Sequence, residues 1–162
     1  MSFKKKIIKN NLIYSFYKRL KILRSKKFNK HLGEFGEDIF ISRFFKKKNN
    51  GIYVDIGCYH PIKGSLTYNL FKKGWSGINV DLSKVSIDLF QISRPNDLNI
   101  QAAITNFDGE TSYYENGPIN QQNSLKENSN LNKISVKAYK LSTILNQNKF
   151  TKIDFLNIDV EG

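Results

Sequence analysis

The sequence predicts an α/β domain built on a parallel β-sheet. Residues 51–82 carry this prediction, because they run in the order strand, glycine turn, helix, strand, and close on an aspartate. That order is a βαβ unit, whose right-handed crossover makes its two strands parallel. Ligands of such units bind at the carboxyl ends of the strands, and an acidic residue ending the second strand can bind a ribose diol. The segment is therefore typical of the opening half of a nucleoside-cofactor domain.

The elements of this unit follow from local patterns. The apolar run at 52–56 predicts the first strand, and a helix-like stretch follows at about 65–73. Gly74 stands where the end of a helix favours a left-handed residue. The apolar run at 78–80 predicts the second strand, and Asp81 closes it.

The rest of the chain continues the alternation of helices and strands. Ser83 is placed to N-cap a helix, and the Arg-Pro pair at 94–95 marks its end. The predicted elements are a helix at 84–93, a third strand at 98–104, an antiparallel strand at 110–114, a polar loop at 116–133, a strand at 134–138, a short helix starting at 141–145 and a last strand at 152–159. The polar loop is expected to be either an inert surface loop or a lid over the substrate.

The loop after the first strand favours one class of cofactor over another. Gly57 is followed by CYHP and only then by Gly64. Pyrophosphate binding needs closely spaced glycines that let the backbone approach the phosphates, and Pro61 has no N–H to donate. S-adenosylmethionine has a ribose and an adenine but no phosphate. The loop therefore suits S-adenosylmethionine better than a dinucleotide.

Five segments form an ordered set of motifs along the chain. They are GEDIF at 36–40, VDIGCYHP at 54–61, SLTY at 65–68, GWSGINVD at 74–81 and IDFLNIDVEG at 153–162. Together they resemble the FkbM family of S-adenosylmethionine-dependent methyltransferases, and the last segment is similar to that family's DVEG strand end. The similarity runs from about residue 33 to residue 162, and the order of the motifs makes it more specific than any single one.

The resemblance implies a Rossmann-like class I methyltransferase sheet with helices on both faces. It also implies O-methylation of a hydroxyl on a carbohydrate or related metabolite, so the expected partner is a small-molecule or glycan substrate. Asp55 and Gly57 would line the methionine side of S-adenosylmethionine, and Asp81 would bind the ribose hydroxyls. Cys58 and Leu82 would be neighbouring cofactor contacts.

The expected catalytic residues lie in the last motif. The resemblance implies that Asp159 lies near the reacting methyl, and an alcohol acceptor needs a base to remove its proton. Asp159 and Glu161 are two positions apart in extended chain and so share a face, which makes them the candidate pair. Glu161 could instead cap a following helix, and His60 is expected to be structural. Alternative roles are orienting the loop for Asp55 and capping a helix for Asp81.

The cysteine and histidine content predicts neither a disulfide nor a metal site. Cys58 is the single cysteine and has no internal partner. It is either a compact thiol chosen for its size or a reactive one. The two histidines and one cysteine have no zinc-site spacing.

The resemblance also implies structure beyond residue 162. A strand at 152–159 would be about the fourth of such a sheet, and a helix and further strands would follow it. The sheet is therefore expected to be incomplete at the C-terminus, with an unpaired edge. The alternative function is a truncated, non-catalytic remnant that acts as a membrane-surface or partner-binding module.

Almost all of the net positive charge comes from the N-terminal segment. We therefore divide the chain into a basic, partly amphipathic helical leader at 1–32 and a methyltransferase domain at 33–162. Residues 1–30 hold eleven of the 26 Lys and Arg residues and no acidic one, whereas the remainder is almost neutral. Nucleic-acid binding is not expected, because the chain has no recognisable nucleic-acid module.

The leader carries one apolar stripe at helical spacing, formed by Ile8, Leu12, Phe16, Leu20 and Leu23. The stripe is expected to pack on the domain or to form part of a solvated extension. The alternative is a peripheral anchor on anionic lipid at the inner membrane surface. Lysines interrupt any signal-peptide core, so we expect a cytoplasmic protein.

Overall fold

The computed structural model describes residues 11–28, 36–115, 125 and 131–160. In chain order its elements are α1 (Asn11–Phe28), α2 (Glu37–Phe44), β1 (Ile52–Ile56), α3 (Tyr68–Lys72), β2 (Ser76–Asp81), α4 (Lys84–Ser93), β3 (Leu98–Gln101), β4 (Ala103–Ile104), β5 (Gly109–Glu115), β6 (Asn132–Tyr139), α5 (Leu141–Gln147) and β7 (Phe155–Ile158). Most of the predicted polar loop, and the predicted domain boundary at 32–33, lie outside the described residues.

The two strands of the βαβ unit form the middle of a four-stranded parallel sheet with the order β3-β2-β1-β7. β1 pairs with β2 on one side and with β7 on the other, and β3 pairs with the far side of β2. Because all these pairings are parallel, the carboxyl ends of the four strands meet at one edge of the sheet. The predicted α/β architecture with a parallel central sheet is thus confirmed.

The third predicted strand, at 98–104, is wrong in one respect, since the structure divides it. β3 stays in the central sheet, whereas β4 joins a second sheet with the order β4-β6-β5. At the break, the N–H of Ala102 donates to the carbonyl of Asp81 at 3.1 Å. β4 then pairs with β6, and β5 returns antiparallel to β6. The partner strand is distant in sequence, so local apolar pattern alone does not reveal the division.

The first crossover helix is shorter than predicted, and the second agrees with the prediction. Ser65 and Thr67 precede α3 because their side chains are used in a buried hydrogen-bond network rather than on a helix surface. Gly74 follows α3 with a left-handed φ of 91°. Ser83 caps α4, its hydroxyl accepting from the N–H of Ser86 at 3.3 Å.

Helices cover both faces of the central sheet. Successive residues of a strand point to opposite faces, and in β1 they belong to different cores. Val54 packs in the core that contains Ile144 of α5. Tyr53 packs in the core that contains Ile41 of α2 and Leu70 of α3.

β7 forms one edge of the central sheet and keeps apolar side chains in solvent. Leu156 and Ile158 pair with Val54 and Ile56 of β1 and therefore lie on the same face as those core residues. They are nevertheless 43% and 60% exposed. In the described chain α5 covers the middle of this face and leaves the β7 edge uncovered.

Helix α1 packs on the domain, but not through the predicted stripe. Tyr14 and Ile22 are buried against Val85 and Leu89 of α4. The stripe residues Leu12, Phe16 and Leu23 are instead 83%, 64% and 62% exposed. The predicted helix is confirmed for residues 11–28, whereas Ile8 of the stripe lies outside the described residues. The buried face is the one with Tyr14, whose hydroxyl has a hydrogen-bond partner in the domain.

That partner is Asp88 of α4. The hydroxyl of Tyr14 donates to the buried carboxylate of Asp88 at 2.8 Å, and Lys18 lies 3.6 Å from the same carboxylate. Lys84, one turn before Asp88 in α4, pairs with the same carboxylate at 2.9 Å, so the contacts from α1 add to an existing ion pair. Together with the burial of Ile22 they favour the side of α1 that faces the domain. None of the described helices, α1 included, combines the length and apolarity needed to cross a membrane.

We expect Tyr14→Phe to lower the free energy of unfolding by about 1–3 kcal/mol, the range for a hydrogen bond lost from a buried charged group. Urea denaturation followed by circular dichroism measures the change. Leu23→Ala, on the exposed side of α1, is the control and should stay within about 0.5 kcal/mol of the parent protein. Equal stability of Tyr14→Phe and the parent would contradict the described packing of α1.

Candidate functional site

The carboxyl edge of the sheet brings together three of the predicted site residues. Asp55 lies in β1, Asp81 closes β2 and Asp159 follows β7. Burial is the main cause that raises the pKa of Asp55 and of Asp81, and a neighbouring carboxylate adds to each shift, Asp159 for Asp55 and Asp55 for Asp81. The edge is therefore a cluster of carboxylates at the strand ends.

Gly57 is the point where the ends of β1, β2 and β7 come into contact. Its N–H donates to the carbonyl of Val80 at 2.9 Å, and the N–H of Asp159 donates to the carbonyl of Ile56 at 2.9 Å. Gly57 has a left-handed φ of 78°, and a Cβ there would lie 1.9 Å from the carbonyl oxygen of Asp159. No other residue type fits this position without moving the end of β7.

Asp81 holds the two turns that leave the edge. One carboxylate oxygen accepts from the N–H of Ser83 at 2.7 Å and the other from the N–H of Tyr59 at 2.8 Å. Burial raises the pKa of Asp81 to about 6, although these two N–H groups oppose the shift. Each oxygen keeps a further lone pair for another donor. The ribose role and the capping role considered from sequence are therefore compatible.

Tyr59 is a residue whose importance the sequence did not signal. It has a left-handed φ of 49°, which is uncommon for a residue other than glycine. The hydrogen bond from its N–H to Asp81 holds it there. The aspartate thus sets the path of the loop after β1 as well as the start of α4.

Asp55 is buried, and both of its oxygens are occupied. One accepts from the hydroxyl of Thr67 at 2.7 Å and the other from the side-chain amide of Asn157 in β7 at 2.9 Å. Burial raises the pKa of Asp55, and the two donors lower it. In these contacts Asp55 ties the loop and β7 to β1, and its cofactor contact stays a prediction.

The side chains of Cys58 and Leu82 pack against different parts of the protein, Cys58 against α4 and Leu82 against the second sheet. Cys58 is buried against Ile87 and Phe90 of α4, and burial raises the pKa of its thiol well above the usual range. The thiolate is the reactive form, so this environment favours the compact-thiol hypothesis. Leu82 packs against Tyr113 of the second sheet. The predicted cofactor contacts of both residues stay predictions.

Of the two candidate catalytic residues, Asp159 and Glu161, the structure describes only Asp159. The side chain of Asp159 is exposed at the carboxyl edge, next to the loop that begins at Gly57. Glu161 lies outside the described residues. Among the described residues no group of His, Cys, Asp and Glu is arranged to hold a metal ion.

Arg94 supports the loop from beneath, and sequence reasoning missed it. It is fully buried, and its guanidinium donates to the hydroxyls of Tyr53 (3.1 Å), Thr67 (2.8 Å) and Ser65 (2.9 Å) and to the carbonyl of Pro61 (2.6 Å). Thr67 in turn donates to Asp55. An arginine that ends a helix before a proline is usually exposed, so nothing in the sequence signals this burial.

His60 is a structural residue of the same loop, as expected. Its Nδ1 accepts from the N–H groups of Ile62 and Lys63, both at 3.0 Å, and its Nε2 lies 3.2 Å from the hydroxyl of Ser25 in α1. Burial, and after it the neighbouring positive charges of which Lys21 has the largest effect, lower the pKa of His60 to about 3. His60 is thus a neutral ring that joins α1 to the loop.

We expect Arg94→Lys to lower the free energy of unfolding by about 2–4 kcal/mol, because one ammonium group cannot supply four buried oxygens and each unsatisfied buried group costs about 1–3 kcal/mol. Urea denaturation measures the loss. Arg43→Lys, an exposed position in α2, is the matched control and should be neutral. A neutral Arg94→Lys would show that the described network does not stabilise the loop.

The stability of the protein should depend on the ionisation of His60. Its pKa in the folded state is about 3, below the ordinary value of 6.5, so its contribution is fully present above pH 6.5 and is lost as the pH falls toward 3. The slope for one proton is about 1.4 kcal/mol per pH unit. His60→Asn keeps an acceptor for the two N–H groups but cannot titrate.

Urea denaturation between pH 6 and pH 4 tests this expectation. The parent should lose stability more steeply than His60→Asn as the pH falls. The raised pKa of Asp81 acts in the opposite direction, but it acts in both proteins and cancels in the comparison. Parallel profiles would mean that His60 is not held neutral.

Comparison with known proteins supports the resemblance. A family model described as the methyltransferase FkbM domain matches residues 55–162. That range covers more than half of the chain and includes the cluster of carboxylates at the strand ends. No curated protein and no solved structure matches the chain. The family resemblance predicted from the motifs is confirmed, and the chain belongs to the FkbM methyltransferase family.

Proposed function

We propose that the protein is an S-adenosylmethionine-dependent methyltransferase with a Rossmann-like class I sheet, and that it methylates a hydroxyl of a carbohydrate or related metabolite. Membership of the family supports methyl transfer. The observation that carries the cofactor assignment is Asp81, a carboxylate that closes the second parallel strand beside a glycine turn.

Asp81 fits a ribose diol. Its two oxygens each accept one backbone N–H, from Tyr59 and Ser83, and each has capacity for a second donor. Two neighbouring hydroxyls of a ribose can donate to the two oxygens of one carboxylate. The backbone contacts pre-orient the carboxylate, so binding would not require it to reorganise.

The loop after β1 fits a cofactor without phosphates better than a dinucleotide. A pyrophosphate needs free N–H groups there, but five N–H groups of the loop donate to groups of the protein itself. Those of Gly57 and Cys58 donate to the carbonyl of Val80, that of Tyr59 to Asp81, and those of Ile62 and Lys63 to His60, while Pro61 has none. This supports the inference drawn from the glycine content.

The charge of the edge fits a cationic ligand. Asp55, Asp81 and Asp159 share the carboxyl edge, where the Arg94 guanidinium acts on the buried Asp55 and leaves Asp81 and Asp159 as the main carriers of negative charge. A sulfonium and an α-ammonium group are both positive, and a cluster of carboxylates with partly buried walls attracts positive charge.

The bound cofactor would supply a methyl group that is already activated, because a neutral thioether is a good leaving group. The protein would hold the acceptor hydroxyl in line with the methyl carbon and keep water away. Asp159, exposed at the edge, would accept the hydroxyl proton as general base. Glu161 is the other candidate for this role.

We expect Asp81→Asn to weaken binding of S-adenosylhomocysteine by about 1–3 kcal/mol, the range for hydrogen bonds to a charged group. Because the pKa of Asp81 is raised to about 6, the affinity of the parent should also fall as the pH drops below 6. The variant should lack this dependence. Calorimetric titration at several pH values measures both effects.

Asp154→Asn is the matched control. Asp154 is also an aspartate bonded to a backbone N–H, that of Ile52, but it lies at the opposite end of β1. Its substitution should leave cofactor affinity unchanged. A folded parent chain that binds no S-adenosylhomocysteine would overturn the proposal and favour the non-catalytic remnant. Transfer of labelled methyl groups to carbohydrate hydroxyls tests the acceptor class.

A further inference from the structure

Helix α1 presents an apolar strip on the side that faces away from the domain. Phe16 and Leu23 are 64% and 62% exposed, and Leu12, one turn before Phe16, is 83% exposed. Positions separated by four and by seven residues lie on the same side of a helix. Three large apolar side chains therefore form one continuous exposed strip.

The orientation of this strip is fixed by the opposite side of the helix. Tyr14 and Ile22 are buried on α4, Lys18 approaches Asp88, and Ser25 contacts His60. Rotating α1 to bury the strip would break all of these contacts. The strip is therefore exposed because the other face of α1 makes the better contact with the domain.

Positive charge surrounds the strip. Arg19 lies three positions after Phe16, and Arg24 directly follows Leu23, which places one exposed arginine on each side of the strip. Residues 1–30 carry eleven basic residues and no acidic one. The described part of α1 is thus an apolar strip flanked by arginines within an entirely basic segment.

We propose that this face of α1 docks on an anionic lipid bilayer. Apolar side chains that enter the headgroup region, with basic residues beside them, are the pattern of helices that lie in the membrane interface. Each basic residue near an anionic surface adds to the attraction. The charge argues against a second copy of the chain as occupant, because two such basic faces repel. A nucleic acid would offer its phosphate backbone to the arginines but no apolar surface to the strip.

Docking by α1 would bring the carboxyl edge of the sheet close to the membrane. Ser25 lies 3.2 Å from His60, and the ammonium group of Lys21 lies 5.9 Å from the ring centroid of Tyr59. Both contacts join the helix to the loop that follows β1. The docking proposal itself does not depend on cofactor binding, and the two can be tested separately.

Vesicle sedimentation of the full chain tests the proposal. Phosphatidylcholine vesicles that also contain phosphatidylglycerol should bind the protein, whereas pure phosphatidylcholine vesicles should not. High salt should release it, because screening shortens the range of the attraction. The double variant Phe16→Ser/Leu23→Ser should bind the anionic vesicles at least about tenfold more weakly.

The matched control is the double variant Phe40→Ser/Phe44→Ser. These phenylalanines of α2 are 71% and 73% exposed, so the change removes similar apolar surface elsewhere and should leave vesicle binding intact. Circular dichroism checks that both variants fold. A third variant, Arg19→Gln/Arg24→Gln, should bind more weakly and lose part of its salt dependence.

Three outcomes would overturn the proposal. One is the lack of any preference for anionic vesicles at low salt, because the chain binds both kinds equally or binds neither. Another is a loss on Phe40→Ser/Phe44→Ser as large as that on Phe16→Ser/Leu23→Ser. The third is that Phe16→Ser/Leu23→Ser changes the mass measured by analytical ultracentrifugation without affecting vesicle binding, which would identify the strip as a contact between copies of the chain.

Discussion

The architecture depends on the close approach of backbone at Gly57. There the end of β1 lies against the carbonyl of Asp159, which follows β7, and the N–H of Gly57 donates to the carbonyl of Val80 in β2. A side chain at this position would occupy the space of the Asp159 carbonyl, so the three strands could not end together. Because they do, three carboxylates share one edge. The geometry of the candidate site is therefore a consequence of one residue without a Cβ.

The edge is held from below by buried polar groups. The guanidinium of Arg94 reaches Thr67, and Thr67 reaches Asp55, so a positive and a negative charge are joined through one hydroxyl. In a low-dielectric interior such hydrogen bonds are strong, and they involve both terminal nitrogens of the guanidinium, whereas its Nε has no partner among the described residues. The loop after β1 has little regular secondary structure. Its backbone groups instead form hydrogen bonds with buried side chains, such as those of Arg94 and Asp81, and with the neighbouring strand β2.

Helix α1 shows how one apolar face can be chosen over another. Both faces of the helix carry large apolar residues, but only one carries Tyr14, whose hydroxyl stabilises the buried Asp88. Lys84 of α4 already pairs with Asp88 at 2.9 Å, so Tyr14 adds a hydrogen bond to a paired carboxylate, and this bond together with the burial of Ile22 favours the observed orientation. The outcome leaves Phe16 and Leu23 in solvent. It also connects the basic leader to the candidate site through Ser25 and His60.

The sequence by itself determined the local elements and the family. The strand at 52–56, the Ser83 cap, the helix at 84–93 and the turn at Gly57 are all visible because they depend on neighbouring residues and on backbone preferences. The family resemblance implied that Asp55, Asp81 and Asp159 serve one cofactor site, whereas the strand order that brings them to one edge is seen only in the structure.

Only the tertiary structure decided the partners of residues far apart in the chain. It divided the predicted third strand between two sheets, buried Arg94 beneath the loop, and turned the apolar stripe of α1 toward solvent. Each of these outcomes depends on which distant group satisfies a buried hydrogen bond or fills a core. Such contacts depend on three-dimensional packing, so they cannot be predicted from the pattern of residues along the chain.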